Sequence, residues 1–477
     1  MRVSTHYKLK KKQAELDFVD VPLDTDLPVF VEPTAIRALE TPWSSHCVAL
    51  LQSFFETVLD AVKNGDKAKA VRLLASLSER NDFHLGYSSG RSRGHAFGSG
   101  SAGWVWNSLL NSNAAKSGVL SDLEDTALLI DGVGADMISD AVCNIIRGPL
   151  IEYTQDMCRY YGIPMVAGVS SGACWDIQSK SWVASHVDLP MPKGEILLLV
   201  PKSIVRLAGA YDPGKYYRQY LLPELQRQHL ASGSSLVEVL KSKKRRVTKK
   251  SLIKKYGSGK GSISSLTEAN PSILEKYKRE RAQEPTPPIS NSYLAELEKS
   301  TNPSLIDLLA KVFDVPAGRA DAVEYERAME GLLSALFYPS LVHPVRQAAI
   351  NQRRKIIDIR FSNAAKNGFF AWLAKHYAAP YVFIECKNYT EDVKNPELDQ
   401  LSGRFSPSRG QFGILICRGV SNRAKINEMC RDTAKDGRGY MIVLDDNDLK
   451  ALVKSGQSMH YDASKTLLNE RFDLLVN

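Results

Sequence analysis

Three residues in the last third of the chain have types and a spacing suited to one chemistry. Asp358 lies inside the apolar run KIIDIRF, while Glu385 and Lys387 close the apolar run YVFIECK. Side chains of a strand alternate between its two faces, so Ile356, Asp358 and Arg360 share one face and Ile357, Ile359 and Phe361 the other. By the same rule Glu385 and Lys387 share a face and Cys386 points away. If the two strands are neighbours in one sheet, both carboxylates and the ammonium converge on one point at its edge. Carboxylates held that close repel one another unless a cation lies between them. A set of oxygen ligands completed by water favours Mg2+ or Mn2+ over zinc. Lys387 beside such a cation would orient or deprotonate a water.

Asp358 followed by Glu385-Cys386-Lys387 resembles the PD-(D/E)xK motif of the restriction-endonuclease-like phosphodiesterases, with IIDIR in place of the name-giving Pro-Asp. Two further features resemble the branch of Mrr-type restriction endonucleases. Tyr325-Glu326, on an amphipathic helix ahead of the first strand, matches the Phe-Glu of their first helix, whose Glu can help to bind metal. Gln400, in NPELDQLSGRF, matches the glutamine of the helix after the ExK strand. The resemblance spans roughly residues 315 to 450. It implies a mixed sheet flanked by helices, a catalytic set of Asp358, Glu385, Lys387 and Gln400, and a metal held by Asp358, Glu385, the Cys386 carbonyl and, as a further ligand, Glu326. It also implies metal-dependent hydrolysis of DNA phosphodiester bonds, with Mg2+ or Mn2+, in a prokaryotic restriction or anti-phage setting. A homo-oligomer and a phage-derived trigger or partner protein belong to the same expectation. An RNase, a repair or recombination nuclease, and a catalytically silent nucleic-acid-binding protein share these letters and stand as alternatives. Arg404, Arg409 and Arg418 follow the motif and are candidate phosphate contacts, since a guanidinium bonds an anion bidentately.

Positioning such a site needs more chain than the site itself. At 477 residues, with 44% hydrophobic and 24% charged residues, the sequence has material for more than one core. The expected class is α/β: an N-terminal α/β domain over 1–235, a connector over 236–290, and the nuclease-like domain over 291–477. In the first part, HCVALLQSFFETVLDAVKNG has helical spacing that ends at Gly65. MISDAVCNIIRGPLIEYTQDMCRYYG reads as two helices broken near Gly148-Pro149, with Asp136 as a cap and Gly162 at the far end. GEILLLVPK reads as a short buried strand.

The net charge of +9 is concentrated in the connector, where KSKKRRVTKKSLIKKYGSGKG holds ten basic residues and no acid. Flanked by Ser-rich and Pro-rich stretches, it reads as a flexible basic linker, with Lys243, Lys244, Arg245 and Arg246 as nucleic-acid contacts. HLGYSSGRSRGHAFGSGSAGW fits no phosphate-binding loop motif and reads as a surface loop. Asp131, Asp136 and Asp140 are better explained by helix capping than by a second metal site. The seven cysteines include no CxxC pair, which favours reduced thiols and a cytoplasmic protein. No apolar run is long enough for a membrane span, and no membrane partner is expected.

Overall fold

The computed structural model describes residues 1–77, 81–86, 107–109, 112, 115, 120–207, 209, 211–283, 286–301, 303–350, 355–389, 391–456 and 467–476. The glycine-rich 84–104 stretch lies almost wholly outside the described residues. The fold is mixed α/β, organised around two hydrophobic cores. One gathers buried residues from Val3 to Leu294 and adds Val342 and Ala364. The other runs from Leu308 to Leu475.

In the first core the long amphipathic helix α1 (Pro42–Lys63) forms as its spacing demands. Pro42 sits in its first turn, Thr41 caps it, and Asn64 and Gly65 (φ 68°) end it. Its buried stripe includes Leu50, Leu51, Phe54, Phe55 and Val58. Helices α2 (Ala135–Ile145) and α3 (Arg147–Tyr161) follow, broken at Ile146, with Pro149 in the first turn of α3 and Gly162 in the left-handed conformation at its end. Asp136 is not the cap of α2. That position belongs to Gly134, and Asp136 lies in the first turn, where its charge favours the helix dipole. Among the described residues the strand content here is confined to two-stranded pairings such as Val166–Ser170 with His186–Leu189. The apolar run Leu197–Val200 is buried but does not form the expected strand. Its amides bond irregularly instead, Leu198 N to Asp82 O and Leu199 N to the Thr154 hydroxyl.

The segment expected to be a flexible connector is folded, which corrects the 236–290 linker. After α4 (Leu222–Ala231) comes a hairpin of β1 (Glu238–Val239) and β2 (Arg245–Arg246). Helices α5 (Lys249–Tyr256), α6 (Lys260–Ala269) and α7 (Pro271–Gln283) follow directly. Leu252, Ile263, Leu266, Ile273, Leu274 and Tyr277 bury themselves in the first core. Charge and Ser/Gly content pointed to disorder, but enough apolar residues recur at helical spacing to offset the ordering entropy.

The second core is built on a five-stranded sheet. Helices α8 (Leu305–Phe313) and α9 (Ala322–Phe337) precede β3 (Leu341–Ile350) and β4 (Lys355–Asn363). Helix α10 (Gly368–His376) leads to β5 (Tyr381–Lys387). Next come α11 (Asn395–Ser402), β6 (Phe412–Cys417), α12 (Arg423–Lys435) and β7 (Tyr440–Leu444). The spatial order is β7-β6-β5-β4-β3, with β4 antiparallel to both neighbours and β5, β6 and β7 parallel. Parallel central strands covered on both faces must be apolar throughout, and β6 is buried at every position. Among the described residues no helix is long and apolar enough to cross a membrane. All seven cysteines are free thiols.

Candidate active site

The helix between β4 and β5 does not keep those strands apart. They pair from Ile359↔Ile384 to Ser362↔Tyr381, and one further step of the same register sets Asp358 across from Glu385. Directly opposed residues of an antiparallel pair share a face, so the two carboxylates stand together where the ladder ends. The backbone marks the junction, because Cys386 N–H donates to Asp358 Oδ2 at 2.9 Å. The alternation anticipated for β4 holds: Ile357 and Ile359 are fully buried while Asp358 and Arg360 are half-buried.

Glu385 is 1% exposed, and two side chains converge on it. Lys387 Nζ donates to Glu385 Oε1 at 3.0 Å and to Gln400 Oε1 at 3.2 Å. Gln400 Nε2, from the second turn of α11, donates to the same Glu385 oxygen at 2.5 Å. This closed triangle satisfies one carboxylate oxygen. The other, Oε2, is buried without a hydrogen-bond partner. Burial pushes the Glu385 carboxyl above its ordinary range, and the charge of Asp358 pushes it further, against the opposing pull of Lys387 and Arg404. Burial raises Asp358 too, opposed by the Cys386 N–H and by Lys387, Arg404 and Arg346. An orphaned buried carboxylate oxygen beside a second carboxylate lacks positive charge, and a hard cation supplies it. The donor set there, two carboxylates, suits Mg2+ or Mn2+. Among the described residues no group of three or more His, Cys, Asp or Glu side chains is arranged to hold a metal ion, so a cation here would rest on Asp358 and Glu385 with carbonyl and water oxygens.

Glu326 does not join that ligand set. It lies on α9 near enough for the Asp358 charge to raise its pKa, after burial, but both its oxygens are taken. Arg346 Nε holds Oε1 at 3.0 Å and Gln347 Nε2 holds Oε2 at 2.9 Å, both from β3. Arg346 and Gln347 were missed because LVHPVRQAAI carries a proline and does not read as a strand. Cys386 packs at the edge of the core, and burial drives its thiol pKa well up, so its side chain is inert.

The arginines divide. Arg404 and Arg409 follow α11, and each has a buried Nε without a partner, as does Arg360 on the Asp358 strand. Arg360 lies over the Tyr381 ring at 4.6 Å. Spacing alone could have found it, two residues from Asp358 on the same face. Arg418 is a correction. Its guanidinium donates to Asn388 Oδ1 at 2.8 Å, to Val312 O at 3.2 Å and to Val315 O, and it covers the Tyr325 ring at 4.2 Å. With its side chain 7% exposed and its donors spent on the protein, it is a structural residue and not a phosphate contact. Lys243, Lys244, Arg245 and Arg246 are exposed in the β1–β2 hairpin, within the first unit.

A family model described as a domain of unknown function (DUF8370) matches residues 8–212, within the first core and short of the sheet that carries Asp358 and Glu385. No curated protein and no solved structure matches the chain.

Proposed function

We propose that the C-terminal unit is a metal-dependent endonuclease that hydrolyses DNA phosphodiester bonds in a restriction or anti-phage role. The observation that carries this reading is the buried Glu385 with its unpartnered Oε2, set opposite Asp358 and tied to Lys387 and Gln400. Asp358 and Glu385, with backbone carbonyls such as that of Cys386, are the groups to hold Mg2+ or Mn2+. When bound, such a cation polarises a phosphate oxygen and acidifies a water. The chain's own residues do the rest. Gln400 fixes the carboxylate plane of Glu385 and, by accepting from Lys387, keeps the ammonium at the site's mouth. Lys387 there orients the attacking water or neutralises charge developing on phosphate. Arg404, and Arg360 and Arg409 with their free Nε atoms, supply donors for the flanking phosphates. The test is incubation of the purified chain with plasmid, linear duplex, single-stranded DNA and RNA in Mg2+, Mn2+ or EDTA. Cleavage that requires the cation and Lys387 supports the reading, and cleavage in EDTA defeats it.

A further inference from the structure

We propose that residues 238–269 form a duplex-DNA-binding unit, a basic hairpin with two short helices beside it, separate from the candidate active site. Helix α5 and helix α6 are joined by the short turn Gly257–Gly259. The turn fixes the two helices relative to the hairpin that precedes them. Gly257 has φ 81°, and a Cβ there would stand 2.6 Å from the Ser262 hydroxyl, so the close approach of turn and second helix requires glycine. Thr248 caps α5, whose Ser251 N–H donates to its hydroxyl at 3.1 Å. Leu252 of the first helix and Ile263 and Leu266 of the second anchor the pair in the first core. Lys260 fixes the start of α6, donating to the carbonyls of Ile130 at 3.1 Å and Val133 at 2.6 Å. The unit is therefore rigidly mounted with one face outward.

That face has the charge of a polyanion site. Residues 239–267 hold ten lysines and arginines and no acid, of which Lys249 and Lys260 donate to backbone carbonyls of the protein. Among the described residues Arg246 has one carboxylate partner, Glu238 at 3.1 Å. Lys249 and Lys250 occupy the first turn of α5, where the helix dipole disfavours cations, and Lys250 repels Lys254 one turn on. A lysine such as Lys250 that works against its own helix points to a function outside it. On α6 the outward positions are Gly261, Ser265 and Ala269, one per turn, small enough to let the helix backbone approach a groove closely. Val239 and Ile253 are the exposed large apolar side chains of the unit, too few for a lipid-inserting face, and this favours nucleic acid over an anionic membrane. In such a complex the exposed stripe of α6 faces a groove while the hairpin and α5 cations contact the flanking phosphates.

The inference rests on the nuclease reading only for the identity of the polyanion, and its test avoids cleavage. The full chain in EDTA is titrated into a labelled duplex of about 20 base pairs, followed by anisotropy between about 50 and 200 mM salt. The joint replacement of Lys243, Lys244, Arg245 and Arg246 by alanine is expected to weaken binding at least ~10-fold and to flatten the salt slope by about 0.9 per lost contact. Ser265→Glu, an exposed change that leaves the core untouched, is expected to weaken it at least ~10-fold by placing a carboxylate against the groove. Thermal melting confirms that both variants fold. Wild-type affinity in either variant overturns the proposal, as does tighter association with phosphatidylserine vesicles than with duplex. A chain that binds in EDTA but never cleaves in Mn2+ upholds this unit and removes the nuclease reading. A chain that cleaves with both variants' affinities unchanged does the reverse.

Discussion

Glu385→Gln separates the cost of the candidate site from its use. In the metal-free protein Glu385 and Asp358 face each other, one almost fully buried, and both carboxyls are raised, first by burial. A carboxyl with a raised folded pKa binds its proton more tightly folded than unfolded. Its charge therefore costs stability as pH rises through the folded value, and costs nothing below the unfolded one. Above the ordinary carboxylate range, in EDTA, the glutamine variant should melt at or above the wild-type temperature, and the gap should close on acidification. A cation reverses the order. At a free concentration of 100 times its dissociation constant it contributes ~2.7 kcal/mol to the wild type. If the roughly 180 residues after Leu297 unfold as a unit, about 2.1 cal/mol/K per residue gives ~0.4 kcal/mol/K, hence a rise of ~7 °C. If the whole chain unfolds together, the rise is ~3 °C. The glutamine variant should show neither. Scanning calorimetry at two pH values, with Mn2+ or EDTA, reads all four states. An equal Mn2+ shift in both proteins, or a variant clearly less stable than wild type in EDTA at neutral pH, would refute the reasoning.

Three other outcomes follow from the same geometry. Lys387→Ala and Asp358→Asn should each lower plasmid cleavage by ~10²-fold or more with the fold intact, scored as conversion of supercoiled DNA. Arg418→Met strands Asn388 Oδ1 and the Val312 and Val315 carbonyls. It should cost ~2–4 kcal/mol in urea unfolding and leave the salt slope of DNA binding unchanged, whereas a phosphate contact would lower that slope by about one. Lys11→Met leaves the 1%-exposed Glu330 without its 2.8 Å partner and should cost ~2–4 kcal/mol, measured the same way.

The strands of the candidate site were legible because polar letters interrupt an otherwise clean period. KIIDIRF alternates, and YVFIECK is apolar until its last residues, so the polar letters could only sit at an edge. Strand β3 was not legible. Pro344 lies within it, and His343 and Gln347 have φ of 50° and 47°, so its sequence lacks the alternation that regular pleating imposes. Residues 236–290 were misread for a different reason: like charges beside Gly and Ser describe a solvated linker and a folded basic helix pair equally well. The distinguishing signal was the spacing of Leu252, Tyr256, Ile263 and Leu266 around Gly257, which charge density obscured. Arg418 was misread because a guanidinium near a catalytic strand serves packing as readily as phosphate. Only the positions of the Val312 and Val315 carbonyls, about a hundred residues earlier, decide between them.

The two cores are also joined close to Glu326. Helix α9 carries Glu326 and, one turn later, Glu330, which accepts from Lys11 at 2.8 Å and from Ser334 at 2.9 Å. Strand β3 carries Arg346 and Gln347, which grip Glu326. A few residues earlier His343 N–H donates to Asp17 at 2.9 Å, and Asp17 also takes the Tyr153 hydroxyl at 2.7 Å. Lys11, Asp17 and Tyr153 all belong to the segment that the domain of unknown function matches. Left-handed backbone at two non-glycine residues costs of order 1 kcal/mol each and persists only where surrounding contacts enforce it. Here those contacts are Asp17 at one end and Glu326 at the other. The clamp on Glu326 is thus set by the N-terminal unit as much as by the sheet, and repacking around Asp17 would change which groups that carboxylate can reach.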